Sequence, residues 1–378
     1  MKKTIAAGIF VCFLIFAVIF TAGCIGSAVN GDGNTINITD AAGRNVTIPD
    51  NPQKIAVSSP GSTRYFAWLQ VTDRITAVDL KDSSQFVISD EARPYMLANP
   101  EIKNHPSLGS SGGKVDPETL MQIKPDVLFM IGVSDTKIRA ADTITEKTGI
   151  PVVLFYSGNY VTHPDEVAQS LRLIAKILHA EDRAEAVIKY FNDVNADLES
   201  RVADIPDEGK PSVYVGGVAY SGDHGMTGTD PTYYEFTVLH ADNAAEGLLT
   251  TSSTGFAEIS KEEILKWDPD IIFIDLNTFA AAGGGAVYEL KNDDAYKGLS
   301  AVKTGQVYAV NPHTSFGTNH ETCMANAYFI GKILYPEQFS DIDPIQKADE
   351  IYTFMDGAPV FDKLKANMYD MSYQKIEV

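Results

Sequence analysis

Two histidines stand in loops rich in glycine and turn-forming residues: His224 in YSGDHGMTGTD (220–230) and His313 in NPHTSFGTNH (311–320). A neutral imidazole can ligate a metal, and Asp223, Thr227 and Thr229 beside His224 can coordinate or hydrogen-bond a guest. The three glycines of the first loop allow close backbone approach. An ordinary loop hydrogen bond is the other reading of either histidine, and the residues alone leave both open.

These loops follow apolar runs of the kind buried in a parallel sheet, and so do three others: SSPGSTRY (58–65), FYSGNY (155–160) and DLNTFAAAGGG (275–285). Ligands of open α/β sheets bind outside the carboxyl ends of the strands, which places all five loops at one cleft. There Ser59, Gly61 and Ser62 would offer N–H groups ahead of a helix, while Tyr156, Tyr160, Tyr220, Phe279 and Phe316 would supply flat walls for a bulky guest. Arg64 is the sole basic residue in the five loops and could point away along its helix. Asp223 and Asp230 would oppose an anion, so a neutral or weakly charged ferric complex or a corrinoid fits better than a ferric catecholate or a tungstate-like oxyanion.

The positioning elements repeat. VDPETLMQIKPDVLFMI from Val115 and ISKEEILKWDPDIIFID from Ile259 align without a gap, matching Glu118 with Glu262 and Pro125-Asp126 with Pro269-Asp270. Each copy reads as a short helix, a Pro-Asp turn and a buried strand, which implies two similar α/β lobes. Between them, 162–204 keeps near-helical apolar spacing through a break at His179-Ala180, and predicts a long stiff connection. The fold class is therefore α/β, two Rossmann-like lobes (37–161 and 205–378) joined by one long helix, with the ligand cleft between the lobes.

The 378 residues carry 50 acidic against 30 basic side chains, a formal charge of −20 that argues against a nucleic-acid partner. The start MKKTIAAGIFVCFLIFAVIFTAGC has a basic tip, an apolar stretch and small residues before Cys24. This pattern is a secretory signal over 1–23 with Cys24 as a lipidated residue; Thr21 departs from the usual Leu, and an uncleaved anchor is the alternative. Residues 24–36 read as a flexible spacer, and Asn37 and Asn45 stand in glycosylation sequons. With Cys12 in the signal, Cys323 is left alone in the mature domain, so no internal disulfide is expected.

The opening ITDAAGRNVTIP, the SSPGST loop, both E-x-L/I-x-x-x-x-P-D segments, the long central helix and the late LSAVKTGQVYAVNP resemble the substrate-binding proteins of ferric-siderophore and cobalamin ABC importers. The resemblance implies a lipoprotein, working as a monomer, that carries a metal complex to an ABC permease and its ATPase, with no catalysis and no cofactor of its own. It also implies that Glu118 and Glu262 dock to permease arginines, Glu263 being the competitor for the second position. Other ligands stay open: a corrinoid, a free metal ion, molybdate or tungstate. A secreted metal-dependent hydrolase using His224, His313 and His320 is the reading of a different class, although no hydrolase or nucleotide motif is present.

Overall fold

A computed structural model describes residues 34–378, apart from 89, 111, 161, 251–254, 281–284 and the side chains of 279 and 280. The signal, Cys12 and Cys24 fall outside the described residues, among which no helix is long and apolar enough to cross a membrane. The first lobe opens with an antiparallel hairpin, β1 (Thr35–Thr39) and β2 (Asn45–Pro49). The strand begins at Thr35, inside the stretch read as spacer. Buried Asp40 shapes the hairpin turn by accepting from the N–H groups of Ala42 and Arg44, and pairs with the Arg44 guanidinium at 2.6 Å.

Four parallel strands follow, β3 (Ile55–Ser58), β4 (Ile75–Val78), β5 (Val127–Ile131) and β6 (Val152–Phe155), in the order β4-β3-β5-β6. Helices α1 (Thr63–Trp68), α2 (Pro94–Ala98), α3 (Pro117–Ile123) and α4 (Asp135–Thr148) connect them or cover their faces. Strands β3 and β6 are buried along their whole length, which explains why their sequences are continuous apolar runs.

The connection is two helices, α5 (Pro164–Leu178) and α6 (Glu181–Val202), with His179 in the left-handed region at φ +54°. Arg172 grips Glu185 at 2.6 and 2.9 Å across that break. In a straight helix those positions would lie about 20 Å apart, so the chain turns sharply at His179. The strut is thus α6 alone. Near its start Arg183 donates to the Trp68 carbonyl of the first lobe; further on Asn195 accepts from Tyr234, Asp197 from Tyr328, and Arg201 pairs with Asp341 at 2.7 Å.

The second lobe runs through β7 (Ser212–Gly216), β8 (Gly228–Thr229), α7 (Tyr234–Val238), β9 (Asp242–Asn243), β10 (Ala257–Glu258), α8 (Lys261–Trp267), β11 (Ile271–Asp275), α9 (Gly285–Asn292), α10 (Ser300–Thr304), β12 (Val307–Val310) and α11 (His320–Leu334). Its parallel sheet has the order β9-β7-β11-β12, the same path as in the first lobe. The repeated residues do the same work in both. Asp126 accepts from the N–H groups of Gln53 and Lys54 ahead of β3, and Asp270 from that of Ser212 at the start of β7. Asp116 and Ser260 cap α3 and α8, and Lys124 and Asp268 end them in the left-handed region.

The last helices, α12 (Pro344–Asp356) and α13 (Phe361–Asn367), rest on the first lobe. Asn99 donates to the Asp356 carbonyl, Lys363 to that of Leu97 and Asn367 to that of Glu91. The chain then returns, and Tyr373 and Ile376 donate to the carbonyls of Ala309 and Val307 on β12. One apolar cluster runs through both lobes and these helices, and a second lies within the first lobe.

Candidate ligand cleft between the lobes

The loops at the carboxyl ends of the two sheets meet along a seam. Gly61 holds φ +76°, and a Cβ there would lie 1.9 Å from the Phe316 carbonyl oxygen, so glycine is what lets the lobes close at this point. Asn319 of the second lobe donates to the Ala92 carbonyl of the first at 3.0 Å. Behind this contact lie two adjoining chambers that share Asn159, His163, Thr318 and His320 as walls.

The first chamber, about 210 Å³, is bordered by Arg64, Tyr65, Glu166, Phe316 and the 157–159 backbone. Arg64 does not point away along α1. It is 3% exposed, donates through Nε to the Gly61 carbonyl at 2.9 Å and through Nη2 to the Ser315 carbonyl at 3.2 Å, and its buried Nη1 has no hydrogen-bond partner. Burial pushes the carboxyls of Glu321 and Asp356 up from the usual carboxylate range even though Arg64 opposes the shift. The chamber's lining thus carries one cation, Arg64, and one carboxylate, Glu166.

The second chamber, about 240 Å³, is lined by Tyr160, Phe191, Asp230, Tyr234, Glu235 and His313, with Cys323 behind. Tyr160 stacks on Phe191 of the strut at 4.2 Å and donates to Asn192. Burial raises Asp230 to about 6 and the adjoining Asp275 to about 7, and pushes Glu235 well above its ordinary value. The same desolvation lowers His313 to about 4 and His320 to about 3. His313 Nδ1 stands 3.5 Å from Asp275 and makes no hydrogen bond, while its backbone N–H donates to the same carboxylate at 3.1 Å. Near neutral pH both imidazoles are uncharged.

Other residues named from sequence sit elsewhere. The Ser59 N–H is spent on Asp79 and the Ser62 N–H on the Ser59 carbonyl, so neither is free for a ligand. Tyr156 is half-buried, tied through its backbone to Ser170, and borders neither chamber. His224 lies 4.6 Å from the Phe256 ring and 3.4 Å from Glu258, and accepts the Thr227 hydroxyl at its own carbonyl. It does not join His313: among the described residues no group of three or more His, Cys, Asp or Glu could hold a metal ion. Tyr220 and Asp223 line an outer cavity at the cleft mouth, where Asp223 accepts from Thr278 at 2.8 Å. Phe279 stands on the turn Leu276–Ala280, with its side chain outside the described atoms. Glu118 and Glu262 are exposed in the first turns of α3 and α8, whereas Glu263 is half-buried and bonded to Lys266.

Sequence reasoning passed over His163, Phe191, Tyr234 and Glu235. They stand on helices or helix starts, outside the strand-end loops. Asn192 and Asn195, beside Phe191 on a helix whose other polar residues are mostly charged, were the available signal, since they receive Tyr160 and Tyr234.

Two duplicated α/β lobes, a helical strut and a cleft between strand-end loops define a two-lobed solute-binding protein. The chain belongs to the periplasmic binding protein family, whose profile matches residues 55–314. It is 26% identical over 323 residues to the uncharacterized ABC transporter substrate-binding lipoprotein YvrC of Bacillus subtilis, covering 82% of this chain and 91% of that one. It is 25% identical over 303 residues to the Fe(3+)-citrate-binding protein YfmC of the same organism, covering 80% and 88%. In structure it resembles the Haemophilus influenzae MolA bound to molybdate, with TM-score 0.65 and 21% identity over 86% of this chain and 98% of that one. The protein is therefore an extracytoplasmic solute-binding component of an ABC importer, with a permease as partner, and is not an enzyme.

Proposed function

We propose that the protein captures a compact, anionic, oxygen-rich iron complex of ferric citrate size in the paired chambers and delivers it to its permease. The observation that carries this reading is Arg64, a buried cation in the lining of the chamber between the lobes, whose Nη1 has no hydrogen-bond partner in the protein. A buried guanidinium N–H without a partner is costly, and a carboxylate or oxyanion oxygen would satisfy it with a charge-assisted bond. Together the two chambers offer about 450 Å³, at the lower end of the roughly 300–1,000 Å³ of sites for drug-sized ligands, which favours a compact guest over a bulky siderophore or corrinoid. The YfmC relative is named for a complex of this class. The small chambers and free guanidinium N–H also suit a tetrahedral oxyanion, which makes molybdate the second reading.

In this reading Cys24 carries the lipid that holds the protein at the outer face of the membrane, and Glu118 and Glu262 face the permease. The test is ligand-dependent melting of the chain with ferric citrate, molybdate, a ferric trihydroxamate and a corrinoid. A ligand at a hundredfold its Kd adds about 2.7 kcal/mol, a rise of a few degrees in Tm. Ferric citrate is expected to raise the Tm of the parent and not of Arg64→Met. A rise with the corrinoid alone, or one indifferent to Arg64→Met, would refute the assignment, and a rise with molybdate alone would select the oxyanion.

A further inference from the structure

Loop 314–318 closes on itself, with the Ser315 N–H donating to the Gly317 carbonyl at 2.9 Å and Thr314 bridged to Thr318. Phe316 stands at its tip with φ +51°, a left-handed conformation that bulky side chains rarely adopt. Such a conformation persists only where the surroundings over-determine it. Here they do. The Phe316 ring crosses the seam to meet Phe86 edge-on at 5.5 Å, with Lys81 5.2 Å and Arg93 5.1 Å from its centroid, all three belonging to the first lobe.

On one side of Phe316 lies the Arg64 chamber of about 210 Å³. On the other lies the outer cavity, about 520 Å³, walled by Ile88, Tyr220, Asp223, Asn277 and Thr314. Phe316 and Gly317 are the residues that line both. Residues 220–223, the start of loop 220–230, therefore face a vestibule, with Tyr220 stacked on Phe256 at 5.4 Å as its aromatic shelf.

We infer that Phe316 is a specificity-determining gate: its ring divides one cleft into an inner chamber and a vestibule, and so sets the largest complex that the protein accepts. The ring is held by edge contacts and by cations at more than 5 Å, which are weak enough for it to swing aside. Relaxing φ to a negative value would carry the ring out of the seam, and the inner chamber would then open into the vestibule. A ligand longer than the inner chamber would place a ligating oxygen at Arg64 and its outer part against Tyr220.

This inference rests on the Arg64 chamber being the ligand site, and two measurements keep the claims separate. Binding of ferric citrate and of ferrioxamine B, a ferric trihydroxamate, is measured for the parent, Phe316→Ala and Phe316→Leu. The gate predicts that Phe316→Ala binds ferrioxamine B at least tenfold more tightly than the parent, with Phe316→Leu between them. Equal ferrioxamine B affinity in parent and Phe316→Ala would overturn it. Amide hydrogen exchange without ligand gives the second measurement. Phe316→Ala should speed exchange at 60–66 and 157–160 and leave β3 and β5 unchanged. Exchange that is unaltered, or faster everywhere, would overturn the gate whatever the ligand proves to be. Failure of the parent to bind ferric citrate, with local exchange still accelerated, would count against the ligand assignment and support the gate.

Discussion

Asp230 and Asp275 combine burial with pKa values raised to about 6 and about 7, beside His313 and His320, which stay neutral down to about 4 and about 3. As pH falls from 8 to 5 the two carboxylates take up protons while the imidazoles do not yet charge, so the negative charge near the chambers declines. Affinity for an anionic ligand should accordingly rise on acidification, by about tenfold over that range. Calorimetry with ferric citrate at stepped pH checks this, and Asp230→Asn should flatten the rise because the carboxylate lining the chamber no longer titrates. Residue types at the cleft were partly legible: the strand-end rule led to Arg64, Tyr160 and His313. Direction was not. Whether Arg64 turned inward depended on the close approach at Gly61 and on the Ser315 carbonyl 251 positions away, which no local pattern encodes.

At the scale of elements, the repeat was readable because its parts are local: a capped helix, a left-handed stop, an aspartate that ties one strand to the next and a buried run. The turn at His179 was readable as a break and not as a fold-back, because apolar spacing continues on both sides while one residue's φ decides the angle. Strands β8, β9 and β10 have two residues each, too few for periodicity to register. Two arginines at the ends of the bend should differ in stability. Arg172 and Glu185 are each about half exposed, so Arg172→Ala should cost about 0.5 kcal/mol or less. Arg183 is bonded to the carbonyls of Trp68 and Phe354 and stacked 4.4 Å over the Phe354 ring, so Arg183→Ala should cost about 2 kcal/mol. Denaturant midpoints at constant slope measure both.

For the whole molecule, two exposed carboxylates carried at matching places on similar lobes suit docking to a two-part partner, giving orientation and encounter rate more than affinity. Glu118→Ala with Glu262→Ala should leave the ligand Kd within about twofold and lower permease-dependent uptake about tenfold. A transport assay in vesicles reads that difference, and undiminished uptake would remove the docking proposal. What the residues could not disclose at this scale is the path of the final segment, since the apolar faces of α12 and α13 do not name the lobe they cover. That path bears on biosynthesis. Because α12 and α13 lie against the first lobe and residues 373–376 return to β12, each lobe receives part of its cover from chain beyond residue 343. A nascent chain emerging N-terminus first would leave that face of the first lobe bare until residues 344–367 had been made.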